Sequence, residues 1–139
     1  MLRNDWNPAE VGDFMAKWEH AQLPSDGELN ASDAGRLQLV FSQMADELGD
    51  LLAQAIYYEE QCKFKKKNAF SLAMMKSNRS SDRQREAEAN QDPSVRIADH
   101  KLIEATAYKK LLELRHEGAV RSHYACRLVA KEQEQGKWT

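Results

Sequence analysis

The stretch LQLVFSQMADELGDLLAQAIYYEEQC, residues Leu37–Cys62, decides the fold. Leu37, Phe41, Met44, Leu48, Leu51, Ala55, Tyr58 and Cys62 follow one another at alternating steps of four and three. An α-helix turns once in 3.6 residues, so this spacing lays all eight side chains along one stripe, a heptad a/d seam. No proline occurs between Ser32, a plausible N-cap, and Pro93. The pattern predicts one helix over residues 32–76, on the order of 65 Å long at 1.5 Å per residue. Beyond Cys62 the seam weakens, because Lys65 and Lys76 fall in its register, although Ala69 and Leu72 conform.

Working outward, Asn7, Pro8 and Glu10 give the start of a shorter helix, with a cap, a first-turn proline and an acid three residues after the cap. Val11, Phe14, Met15 and Trp18 share its apolar face, and Pro24-Ser25-Asp26-Gly27 ends it. Residues 77–92 form a polar, basic connection in which Asp82–Ala89 can make a further short helical stretch. Asp92 then caps a return helix over residues 93–135 that opens on Pro93. Its stripe is Val95, Ala98, Leu102, Ala105, Leu112, Ala119 and Cys126, widened by Ile103, Leu111, Leu114 and Leu128. No segment alternates as a strand does. The expected fold is all-α and a single domain: a short aromatic helix within 1–24 and a long antiparallel helical hairpin, coiled-coil-like and oligomeric. A long helix with an apolar stripe must bury it, so Phe14, Trp18, Leu37, Phe41, Met44 and Leu48 are the expected oligomer or partner interface.

The chain has 139 residues and a formal net charge of -2, but its charge is divided between its ends. Residues 1–61 hold three basic side chains against twelve acids, and residues 62–139 hold seventeen against ten. From Lys63 to Arg85 there are eight basic residues and one acid, Asp82. Such segregation points to a polyanionic partner or to self-association. Lys63, Lys65, Lys66, Lys67, Lys76, Arg79, Arg83 and Arg85 suit phosphate backbones, which attract clustered cations through counterion release. Phe64 and Phe70 lie among them, and single-strand binders combine a positive track with aromatic faces for base stacking. The competing reading is a solvated helix face with both phenylalanines buried.

Catalytic patterns are sparse. His116, His123 and Cys126 lie near one helical face, yet they lack zinc-protease spacing and read as residues of a long helix. Asp46, Glu47, Asp50, Glu59 and Glu60 have the spacing of exposed, solvated or ion-pairing flanks beside the seam. The glycines are isolated, no serine sits in a nucleophile elbow, and neither cysteine has the neighbours of a reactive thiolate. No enzyme, cofactor or metal is expected. No apolar run approaches the roughly 18 residues of a membrane span, and no secretory signal is expected, because Met-Leu-Arg-Asn-Asp-Trp has no apolar stretch after a basic start. Two cysteines suit a reducing compartment, so the expected location is the cytoplasm.

Lys65-Lys66-Lys67 through Arg79, followed by Ala89-x-x-Asp92-x-x-Val95-x-x-x-Asp99-x-x-Leu102, resemble in layout the UvsY recombination mediators of tailed bacteriophages. The resemblance covers residues 60–130. It implies an oligomeric accessory protein, in the host cytoplasm, that binds single-stranded DNA and helps load a recombinase in competition with single-strand binding protein. It carries the DNA contact onto Lys65, Lys66, Lys67, Lys76 and Arg79. The acidic N-terminal helix with Trp18 departs from that pattern. Single-stranded RNA is the other nucleic-acid candidate. A different class stays open beside these: a helical protein–protein interaction module, such as a host-factor inhibitor or assembly chaperone.

Overall fold

The computed structural model describes residues 16–18, 21–23 and 29–136. Among these residues it holds three helices and no strand: α1 (Ala31–Lys76), α2 (Asp82–Gln91) and α3 (Pro93–Gly136). The fold is all-α. Most of the expected short N-terminal helix, Phe14 included, lies outside the described residues; Ala16 and Lys17 are helical.

Local chemistry sets the helix ends. Asn30, rather than Ser32, caps α1: its Oδ1 accepts the Asp33 backbone N–H at 2.9 Å, and the Ala34 N–H donates to the Asn30 carbonyl. Asparagine satisfies a first-turn amide as well as serine does, so the cap falls two residues earlier. Ser81 caps α2 through Oγ to the Gln84 N–H at 3.2 Å. Asp92 caps α3, its Oδ1 accepting the Ser94 N–H at 2.8 Å, with Pro93 as first helical residue.

The chain falls into two compact units. In one, the part of α1 up to Leu52 lies against the part of α3 from Leu111. Ala34, Leu37, Phe41, Met44 and Leu48 are buried with Leu112, Ala119 and Cys126. Gly49 faces His116 and the Gln38 carbonyl faces His123, so partner numbers fall on α3 as they rise on α1 and the helices run antiparallel. Trp18 is buried here too, and its Nε1 donates to Glu47 at 3.2 Å. Lys17 pairs with Glu47 at 2.9 Å and lies 5.1 Å over the Trp18 ring. The hydrogen bond from Lys17 is the main cause holding the Glu47 carboxyl below its ordinary range.

The Ala53–Lys110 unit contains the rest of α1, all of α2 and the first part of α3. Ala55, Cys62, Ala73, Ala89, Val95 and Ala105 form its buried apolar set. Ala73, Ala89 and Val95 make a cluster that ties α2 to both long helices, with Ala69, Phe70 and Met74 packed on it. Here the buried row of α1 keeps Ala55 and Cys62 of the sequence register but departs from it at the positions expected for Tyr58 and Leu72. It runs Ala55, Glu59, Cys62 and Ala73, while Tyr58 is half-buried and Lys65 and Leu72 are exposed. A straight helix drifts ~20° per heptad against a 3.5-residue repeat, and three heptads of drift move the inward row by about one side chain.

Two corrections follow from burial. Glu59 is no solvated flank: it is 3% exposed, with Lys109 Nζ at 2.8 Å and Lys63 Nζ at 3.5 Å. On α3 the expected stripe faces inward, Ala98 and Leu102 being half-buried. The residues expected to widen it, Ile103, Leu111, Leu114 and Leu128, are exposed instead. Contact with a single helix covers only a narrow seam.

Candidate functional site

The expected basic site lies in the Ala53–Lys110 unit, and the structure divides it by partner. Lys63, on the surface, pairs with Glu60 at 3.1 Å and Glu59 at 3.5 Å, and these carboxylates, Glu60 first, raise its pKa. Lys66 Nζ meets Asp99 Oδ1 at 2.7 Å. Arg79 Nε donates to Glu88 Oε2 at 3.1 Å, and Ser77 Oγ donates to the same oxygen. Arg85 Nε donates to the Arg79 carbonyl at 3.0 Å. Lys65, Lys67, Lys76 and Arg83 are exposed and, among the described residues, hold no ion pair.

Helix geometry spreads these groups around α1. At about 100° per residue, Lys63 and Lys67 fall on one flank, and Lys65 and Lys76 fall together on the other. The outer face between the flanks carries an apolar row. Tyr57, Phe64 and Met75 are spaced by seven and eleven residues, near whole numbers of turns, and all three are exposed, Phe64 at 65%. Phe70, in contrast, is packed against the Ala73–Ala89–Val95 cluster. Tyr57 was not distinguished by the sequence pattern. Its signal is the seven-residue step to Phe64 on the face opposite the seam.

The residues expected at an oligomer or partner interface are placed otherwise than expected. Trp18, Leu37, Phe41, Met44 and Leu48 are buried within the chain itself. Their stripe is covered by α3 in the unit they belong to, so they form its core.

The histidine–cysteine group lines the α1–α3 contact of the other unit. His116 abuts Gly49, His123 Nδ1 is 3.0 Å from the Gln38 carbonyl, and Cys126 is fully buried, its thiol pKa raised by desolvation. Among the described residues no three His, Cys, Asp or Glu side chains gather as a metal site would require. No described helix is long and apolar enough to cross a membrane. Both cysteines are free.

Two clefts flank the first turns of α3 within the Ala53–Lys110 unit. One, of about 250 Å³, is lined by Lys66, Asn90, Val95, Arg96, Asp99, His100 and Ile103. The other, of about 140 Å³, is lined by Tyr58, Cys62, Lys65, Ser94, Ile97, Ala98 and Lys101. No family profile, curated protein or solved structure matches the chain.

Proposed function

We propose that this protein is a non-enzymatic accessory protein of the cytoplasm that holds single-stranded nucleic acid along the outer face of α1. The observation that carries the reading is the exposed row Tyr57, Phe64 and Met75 between flanks of lysines, of which Lys65, Lys67 and Lys76 have no carboxylate partner among the described residues. Exposed aromatics next to unpaired cations match what a single strand offers, bases to stack and phosphates to neutralise. The layout resemblance to phage recombination mediators extends this to a role in loading a recombinase on single-stranded DNA, with self-association raising avidity.

Fluorescence anisotropy of a labelled oligothymidine against salt tests it. Wild type should lose affinity steeply from 50 to 200 mM salt. Phe64→Ala should cost about 1–3 kcal/mol of binding, the worth of one stacked base. The triple variant Lys65→Glu, Lys67→Glu, Lys76→Glu should abolish the signal. Absent or salt-insensitive binding refutes the reading. That outcome favours a helical interaction module, for which the exposed Ile103, Leu114 and Leu128 of α3 speak.

A further inference from the structure

The two clefts beside the start of α3 differ in their charge accounting. In the larger, Lys66 is neutralised by Asp99 at 2.7 Å, and His100 lies 3.3 Å from Glu104. In the smaller, Lys65 on α1 and Lys101 on α3 line the same cavity from opposite walls. Neither holds an ion pair among the described residues, and both are exposed. Two like charges facing one cavity raise each other's energy unless an anion lies between them. Ser94 adds a hydroxyl at the rim; its backbone N–H is taken by the Asp92 cap, so the hydroxyl is the donor it offers. Tyr58, Cys62, Ile97 and Ala98 complete the lining. Asp92 is occupied by that cap, and Glu104, which acts on Tyr58, is also the partner of His100.

We infer that the cleft between Lys65 and Lys101 seats one backbone phosphate of the bound strand. Lys65 Nζ and Lys101 Nζ supply the charge and Ser94 Oγ donates a hydrogen bond. This rests on the single-strand reading above and deepens it. The lysine flank at Lys65 carries the sugar–phosphate backbone, whereas on the opposite flank Lys63 is already paired with Glu60 and Glu59. A cavity of about 140 Å³ suits a phosphate and the edge of its sugar, leaving the base outside.

Lys101 decides it, because the outer-face site does not include it. The full-length protein is titrated with labelled oligothymidine at several salt concentrations, and the slope of log K against log salt is read. Loss of one phosphate contact lowers that slope by about 0.7 for a single strand. Lys101→Ala should weaken binding and lower the slope by part of that amount, because Lys65 still meets the phosphate; Lys101→Arg should keep the wild-type slope, and Arg115→Ala, exposed in the other unit, should change neither. Lys65→Ala/Lys101→Ala should lower the slope by the full amount for one contact and no further, since both lysines hold the same phosphate. Lys101→Ala indistinguishable from Arg115→Ala, with steep wild-type binding intact, overturns the cleft and leaves the single-strand reading standing. A wild type that does not bind overturns both. Circular dichroism of each variant confirms that helix content is kept.

Discussion

Replacing Lys109 by methionine should destabilise the protein by stranding a buried carboxylate. Glu59 is 3% exposed, and the structure gives its carboxylate Lys109 at 2.8 Å as the nearest cation, with Lys63 behind it at 3.5 Å. Removing one partner of a buried pair typically costs about 3–5 kcal/mol, because the other charge stays desolvated. Two features lower that figure here. Lys109 keeps 26% of its side chain in solvent, and Lys63 remains to offer partial compensation. The expected cost is therefore about 2–3 kcal/mol for Lys109→Met. Glu59→Leu should cost less, since the stranded ammonium can reach water. The double variant Glu59→Leu/Lys109→Met should recover to within about 1 kcal/mol of wild type, as apolar replacement of buried pairs does elsewhere.

The same pair predicts a pH dependence with a definite sign. The hydrogen bond from Lys109 is the largest cause holding Glu59 below its ordinary value of 4.5, against the opposing effect of burial, with Thr106 and Lys63 adding to the lowering. A native pKa below the unfolded one means that the stabilisation is fully present above the unfolded value and is lost as pH falls through the lower native value. In Lys109→Met the largest lowering cause is gone, so the Glu59 pKa rises and protonation relieves the stranded carboxylate. The stability gap between wild type and variant should therefore narrow from pH 7 to pH 4. Urea denaturation followed by circular dichroism at both pH values measures this. A cost below about 1 kcal/mol at pH 7, or a double variant no more stable than Lys109→Met, refutes the reasoning.

Two further outcomes test the packing. Leu112→Ala removes one of the largest fully buried side chains and should cost about 3 kcal/mol, seen as a lower urea midpoint with little change in slope; a loss under about 1 kcal/mol would mean that the seam is not close-packed there. Gly118→Ala should gain about 0.5–1 kcal/mol, because nothing lies within 4 Å of the added Cβ and glycine inside a helix carries an entropic cost; a destabilised variant would show that the helix is not regular at that point.

The heptad from Leu37 to Ala55 was legible because spacing alone determines which side chains share a helix face. The break at Asp92-Pro93 was equally readable, since a cap followed by proline can begin a helix and cannot continue one. Past Ala55 the same reasoning failed by one residue. Glu59 lies four after Ala55 and three before Cys62, so it fits the buried row as well as Tyr58 does, and its charge argued against it. Only Lys109, fifty residues along the chain, makes its burial tolerable. A sequence signal existed: Lys109 follows Leu102 by seven and so lies in the seam of α3, where a cation calls for an anion. The basic run was readable as composition, but which cations are spent on carboxylates was not. Lys66 finds Asp99 and Arg79 finds Glu88 by folding, while Lys65 and Lys67 find no carboxylate among the described residues.

The sequence by itself determined that two long helices run through Leu37–Cys62 and from Pro93, and that positive charge gathers around residues 63–85, because these follow from local spacing, capping and composition. Tertiary structure alone decided which apolar stripe is covered, which charges are paired, and that Lys65 and Lys101 share a cleft. Those properties depend on what α3 brings against α1, and Coulombic and burial energies are set by distances in space rather than by separation along the chain.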